Sequence, residues 1–213
     1  MSVRRQSLRT GAAALIALLA FAASTSTANA GVLVASAPSC EDQGLNKTFL
    51  PWLDVADYTE LPGGDFEGAM HGWSLSDGAQ VVNGNSPYAV GGDDDAKSLS
   101  LRSGSSATSA TMCVGLTHPT IRLFAKRTST GLLSSLSTLN VDVLFELASG
   151  DVVTLPIGAL LGSGSWEPTL PLLAVANLLP LLPGEHTPIA FRFTAQGGDW
   201  SIDDVWVDPY SRK

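Results

Sequence analysis

Residues 200–210 read W-S-I-D-D-V-W-V-D-P-Y, and residues 63–73 read G-G-D-F-E-G-A-M-H-G-W. These two stretches set Asp and Glu among aromatic and aliphatic residues. Carboxylates so placed can bind a hard cation, work as a paired acid and base, or accept hydrogen bonds from backbone amides. Burying one without a cation or donors is costly, and strand interiors disfavour Asp. In a regular strand Asp203 and Asp204 face opposite sides. Asp204 shares its parity with Trp200, Ile202 and Trp206, so it is the acid expected to turn inward. Asp203 is then expected at solvent, and Asp208, before Pro209, is expected to end the strand. Asp65 and Glu67 are two residues apart and share a face if that segment is extended. Capping a turn, or an ion pair with Arg122 or Arg192, is the alternative to a cation for these acids.

Other chemistry has little support. The three histidines, His71, His118 and His186, stand in no metal-binding or catalytic spacing. There is no nucleophile elbow, phosphate loop or dinucleotide fingerprint. Asp93-Asp94-Asp95 follows Gly91-Gly92 but lacks the spacing of an EF-hand loop. It reads as a solvated acidic loop, with a calcium contact as the alternative. No pair of acids is set apart as a catalytic couple, so the sequence leans away from an enzyme.

The elements that must position these acids are strands. Short alternating runs are separated by Gly, Ser, Thr, Asp and Pro clusters. Thr120 to Arg127 alternates Ile121, Leu123 and Ala125 against Arg122, Phe124 and Lys126. Leu139 to Leu147 alternates Val141, Val143 and Phe145 against Asn140, Asp142 and Leu144. Ile189, Phe191 and Phe193 oppose Arg192 and Thr194, and Trp200 to Asp208 closes the series. Further strands are expected at Asp151–Ile157, Gly64–Glu67, Ala79–Val82, Ser98–Leu101 and Ser109–Val114. This spacing predicts an all-β, antiparallel β-sandwich. Leu170 to Pro183 is apolar, but its three prolines forbid a long helix. It is expected as a strand and a helical turn buried over one end of the sandwich, or as an exposed patch that docks a partner.

The chain begins with Arg4, Arg5 and Arg9, an apolar run from Ala12 to Ala23, and Ala28-Asn29-Ala30. That pattern predicts a secretory signal peptide over residues 1–30 and an extracellular location. The remainder carries nine Lys and Arg against twenty Asp and Glu. Such an acidic balance argues against nucleic acid or anionic lipid as a partner, and no segment is suited to span a membrane. Cys40 and Cys113 are the only cysteines. In an exported protein an even count predicts a disulfide. It would tether residues 31–60, an N-terminal extension, to the sandwich domain expected over 61–210.

The G-D-F-E-G opening followed by G-W, with a closing W-x-I-D-D-V, resembles the frame of galactose-binding-like jelly-roll domains, which include many carbohydrate-binding modules. The resemblance spans about residues 60–210. Through F-L-P-W-L-D (49–54) and W-V-D-P-Y (206–210) the whole chain also resembles a group of small exported actinobacterial proteins. The jelly-roll likeness implies adjacent first and last strands with a structural Ca²⁺ between them. Its implied ligands here are Glu67 and one or both of Asp203 and Asp204, with Asp65 beside Glu67. It also implies a non-catalytic module whose partner is a polysaccharide or cell-envelope glycan. Trp73 and Trp200 belong to the frame and are expected in the core, and Trp52 is expected to pack against the sandwich. Tyr88 and Trp166, with Asn85 nearby in sequence, are the expected ligand-binding residues. A structural or protein-interaction role at the cell surface is the alternative.

Overall fold

The computed structural model describes Leu33 and residues 43–115, 118–131, 134–174 and 186–208. The expected signal peptide, Cys40 and the 175–183 part of the apolar run lie outside the described residues. Among the described residues thirteen strands form two antiparallel sheets. In chain order they are β1 (Thr59–Glu60), β2 (Ser74–Ser76), β3 (Gln80–Asn83), β4 (Lys97–Leu101), β5 (Ser106–Thr108), β6 (Met112–Gly115), β7 (Thr120–Arg127), β8 (Thr138–Glu146), β9 (Val152–Leu160), β10 (Glu167–Pro168), β11 (Leu172–Leu173), β12 (His186–Gln196) and β13 (Trp200–Asp208). The first sheet runs β10-β7-β13-β4-β3, with β1 beside β13 and β11 beside β7. The second runs β2-β5-β12-β8-β9, with β6 beside β12. The first and last strands are therefore neighbours, as the jelly-roll reading expects.

Alternation places the core. Ile121 and Leu123 of β7 and Leu99 and Leu101 of β4 face Leu139, Val141 and Val143 of β8 and Phe191 and Phe193 of β12. Residues of opposite parity, such as Arg192, Thr194, Asn140 and Asp142, point away from that core. The periodicity of these strands read correctly because the extra residues fall in their partners, β13 beside β7 and β9 beside β8, and each of the four keeps its own alternation.

β13 does not keep one parity. Its pairing with β7 runs from Trp200↔Arg127 to Asp203↔Phe124, then resumes at Trp206↔Arg122, so the register shifts across Asp204 and Val205. Asp204 takes the left-handed backbone, with φ of 49°, the conformation an extra residue in a bulge often adopts. Trp200, Ile202, Val205 and Val207 face the core. Trp206, expected inside with Trp200, instead joins an aromatic cluster on the outer face. The expected solvation of Asp203 is also corrected, because only 2% of that residue is exposed.

The G-D-F-E-G segment is a turn, not the strand expected at Gly64–Glu67. It sits against the bulge: Leu61 N donates to Val205 O and Val205 N donates to Gly64 O. A Cβ on Gly64 would lie 2.8 Å from both Leu61 O and Val205 O, so only glycine fits there. Phe66, with φ of 60°, is fully buried. Asp65 and Glu67 therefore do not share a strand face.

The N-terminal segment covers the outer face of the first sheet. Phe49, Tyr58, Phe124 and Trp206 form its apolar contact, with Trp52 packed alongside. Arg122 is buried there, its guanidinium 4.1 Å from the centre of the Phe49 ring. It donates to Asp54 Oδ2 and to Thr169 O. Tyr58 Oη also donates to Asp54 Oδ2. Arg192 pairs with Asp142 at 3.0 Å. Neither arginine is thus an ion-pair partner of Asp203 or Asp204, which excludes that alternative.

Of the 170–183 run, the described part is β11 and its flanks. Leu170 is 80% exposed and Leu173 68%, whereas Ala174 is buried. No helix among the described residues is long and apolar enough to cross a membrane.

Candidate functional site

The bulge in β13, the 62–67 turn and the loop between β3 and β4 meet at one end of the first sheet. Each contributes acids. From the bulge, Asp203 Oδ2 accepts from Ser86 N at 2.6 Å and its Oδ1 from Asp204 N at 3.1 Å. Asp204 Oδ2 accepts from Ser86 Oγ at 3.0 Å. From the loop, Asp95 Oδ2 and Asp204 Oδ1 each lie 2.7 Å from where a Cβ on Gly91 would stand, and Asp65 Cβ lies 3.7 Å from it. Glycine at 91 leaves the space that these carboxylates share. Asp95 Oδ2 is buried with no hydrogen-bond partner. Glu60, on β1 opposite Trp206, feels the charges of Asp65, Asp204 and Asp95.

Glu67 has a different task. Its Oε1 accepts from the amides of Ala96 and Lys97, and Lys97 Nζ lies 3.9 Å from its Oε2. It fastens the end of the acidic loop to the 62–67 turn. Asp203 is likewise occupied by amides. Of the four expected metal-binding acids, Asp65 and Asp204 approach the shared space, joined by Asp95, and Glu60 lies within reach of their charge. Asp95 had entered only through its acidic run, and nothing in the sequence singled out Glu60. Among the described residues no three His, Cys, Asp or Glu side chains stand as a ready metal-ligand group.

The electrostatics report crowding. Burial, then the neighbouring Asp204, push the Asp203 carboxyl up to about 8, against the amides that favour its charge. Burial, then Asp65, raise Glu60 to about 7. Burial raises Asp204 to about 6, with Asp95 and Asp65 adding to it against the Ser86 hydroxyl. Burial and then Glu67 raise Asp95. These are carboxylates short of positive charge.

The expected ligand-binding residues separate. Tyr88 and Trp166 meet: Tyr88 Oη donates to Trp166 O at 3.2 Å. Both make ring contacts, and Tyr88 stays 40% exposed. Tyr88 lies 5.1 Å from Trp52 and 5.1 Å from Phe124 between ring centres, and Lys126 Nζ covers the Trp166 ring at 4.5 Å. Asn85 is half-buried in the β3–β4 loop, beside Ser86. Trp52 packs on Phe49 and Phe124 as expected, and Trp73 packs on Phe66 and Phe193.

The second sheet presents a different surface. Register aligns Ser74, Thr108, Arg192, Asp142 and Pro156 in one row across β2, β5, β12, β8 and β9. The next row is Ser76, Ser106, Thr194, Asn140 and Ala159. None of these side chains belongs to either apolar cluster. Rows on adjacent strands stand about 4.8 Å apart. The result is a sheet face of hydroxyl and amide groups with one Arg–Asp pair at its centre.

No protein-family model matches this chain, and no curated protein matches it. Solved structures similar to it include the CBM22-1 and GH10 modules of Clostridium thermocellum endo-1,4-beta-D-xylanase 10B complexed with xylohexaose. That likeness has 15% identity, covers 70% of this chain and 28% of that chain, and has a TM-score of 0.48. The CBM22-1 xylan-binding domain of Paenibacillus barcinonensis is 13% identical over 69% of this chain and 91% of that one, with a TM-score of 0.45. A family 11 carbohydrate-binding module of Clostridium thermocellum, in complex with a mixed-linked tetrasaccharide, is 13% identical over 70% and 95% of the two chains, with a TM-score of 0.40. The architecture above rests on the strand pairing itself.

The crowded acids predict a pH dependence. In the folded state Asp203 and Glu60 hold protons that the unfolded chain has released by about pH 4. Their contribution to stability is complete below that value and is lost as pH rises through about 7 to 8. His118, kept neutral by burial and lowered to about 4, works the other way only up to its unfolded value of about 6.5. In EDTA-treated buffer the thermal midpoint is therefore expected to fall between about pH 6.5 and 8, and Asp203→Asn to flatten that fall. A midpoint that holds or rises across this window would contradict the assignment.

Proposed function

We propose that this chain is an exported, non-catalytic carbohydrate-binding module whose glycan surface is the open face of the second sheet. The observation that supports it is the pair of polar rows centred on Arg192 and Asp142. A sugar chain presents hydroxyls that both donate and accept. Ser, Thr and Asn side chains at regular spacing match that need, and an Arg–Asp pair supplies charge-assisted bonds. The first sheet offers less, because the N-terminal segment and the β3–β4 loop lie over its outer face.

Xylan and mixed-linked β-glucan are the first polymers to test, since similar modules bear those names, followed by cell-envelope glycan. Retention on at least one polymer is expected. Arg192→Ala is expected to weaken it by about tenfold, the worth of one charge-assisted hydrogen bond, with an unchanged thermal midpoint. No retention on any of them, or full retention by the variant, would count against this surface.

The acids beside the β13 bulge support a second element of the reading, a structural Ca²⁺. The fit rests on donor chemistry: hard carboxylate oxygens, one of them buried and unpartnered, around a space kept open by Gly91. Asp95 and Asp204 would hold the ion, with Asp65 and Glu60 adding negative charge and Glu67 and Asp203 holding the surrounding backbone. Bound Ca²⁺ would neutralise the crowd and pin the loop to the bulge. Excess Ca²⁺ is expected to raise the thermal midpoint at pH 8 relative to EDTA, and Asp204→Asn to abolish the difference. Equal midpoints with and without the ion would remove calcium from the account.

The Cys40–Cys113 disulfide belongs to the same reading. Gln43 Nε2 donates to Cys113 O at 2.9 Å, which brings the chain near Cys40 to β6. Thiol labelling of the unreduced, denatured protein is expected to find none free; two labelled cysteines would refute the bridge.

A further inference from the structure

β9 stands at one end of its sheet, and β10 and β11 stand at one end of the other. A groove of about 510 Å³ opens between them. Leu160, Leu161, Pro168, Leu170 and Leu172 are among its walls, and Trp200 lies at its floor. Gly162 keeps the floor bare, because a Cβ on it would lie 2.4 Å from Trp200 Cζ3. The rim is apolar and open to solvent: Leu161 is 78% exposed and Leu170 80%. Thr169 offers no free anchor on the wall. Its Oγ1 accepts from Leu123 N and its carbonyl from Arg122 Nε. A polar small molecule finds little here to orient it, whereas an aliphatic side chain needs no anchor.

Such a side chain stands close by. Leu53 closes the short 3-10 turn Leu50–Trp52 with a left-handed backbone, φ 64° and ψ 18°. Helix ends usually give that conformation to glycine or asparagine, because a larger side chain is strained in it. Leu53 is nevertheless 91% exposed, with Val55 70% exposed beside it. Strain that no packing repays points to a use outside the fold. Arg122 ties this knob to the groove. It donates to Asp54 Oδ2, next to Leu53, and to Thr169 O, next to Leu170. Knob and groove rim therefore flank one guanidinium. Exposed apolar surface of this kind marks an interaction site. A knob and a hole so close together make the surface complementary to its own copy, since one two-fold axis satisfies both contacts. We propose that this surface pairs two copies of the chain in a closed, two-fold dimer. Leu53 of each copy enters the groove of the other between Leu161 and Leu170. The pairing does not rest on the glycan reading given for the second sheet.

Sedimentation equilibrium of the exported chain over a range of concentrations reads the association. A monomer–dimer equilibrium with no larger species is expected, because a two-fold contact closes on itself. Leu53→Asn keeps a residue that tolerates the left-handed backbone and removes the knob. It is expected to weaken the dimer by about tenfold or more, since each copy loses a buried leucine. If that variant does not fold, Leu53→Gly takes its place. Leu170→Gln is expected to weaken the dimer from the groove side. A mixture of the Leu53 and Leu170 variants is expected to associate more tightly than either alone, because one intact knob then meets one intact groove. The proposal is overturned if the parent chain stays a monomer at every concentration, if it grows beyond the dimer, if the Leu53 variant pairs as the parent does, or if the mixture associates no more tightly than its components.

Discussion

One extra residue in β13 organises this molecule. An unbroken ladder would have sent Trp206 into the core beside Trp200 and Ile202. The bulge at Asp204 inverts the parity of everything after it. Val205 and Val207 then complete the core, and Trp206 turns outward to meet Phe49, Tyr58 and Phe124. The bulge also opens a gap between the parts of β13 paired with β4 and with β1. Leu61 and Gly64 close that gap: Leu61 N donates to Val205 O, Val205 N donates to Gly64 O, and Gly64 sits too close for a Cβ. The acid cluster is a consequence, because the turn that fills the gap carries Asp65 and the bulge itself carries Asp203 and Asp204.

The two sheets of the sandwich thereby acquire unlike outer faces. On the first, Phe124, Trp206 and Arg122 need cover, and residues 43–58 provide it. Arg122 is the pivot: buried, stacked on Phe49, and satisfied by Asp54 and Thr169. Without Asp54 the buried guanidinium would lose its ion-pair partner, and Tyr58 Oη and Ala56 N their acceptor, at a cost of several kcal/mol. On the second sheet β9 takes an extra residue opposite Val141 and Asp142, and the rows of Ser, Thr, Asn, Arg192 and Asp142 still point outward, with Pro156 and Ala159 at their β9 ends. Among the described residues, it is the cover of 43–58 that separates the packing aromatics of the first face from the polar rows of the second.

How much of this was legible in the chain depends on the regularity of each strand. β7, β8 and β12 follow the period of two, and their inner and outer residues were correctly placed from spacing alone. Of the loop aromatics, Tyr88 stays 40% exposed while its ring meets Trp52 and Phe124, contacts that spacing along the chain does not show. Arg192, Thr194, Asn140 and Asp142 were recognised as outward. Their alignment into rows depends on inter-strand register, which is set by pairing between segments about fifty residues apart. Glu60 carried no local mark, because its significance comes from three acids brought to it by other elements.

By itself the sequence determined the class of fold, an antiparallel sandwich, since that follows from local alternation, turn residues and the burial of apolar side chains. It also determined that an inward acid at 204 would need a partner, since the cost of a buried charge does not depend on topology. Only the tertiary structure decided which partners. Glu67 and Asp203 are taken by backbone amides, while Asp204 and Asp95 are left facing a common space. The reason is the bulge: a left-handed residue in mid-strand reverses side-chain direction, and its position is chosen by the packing of two whole sheets and not by the residues D-D.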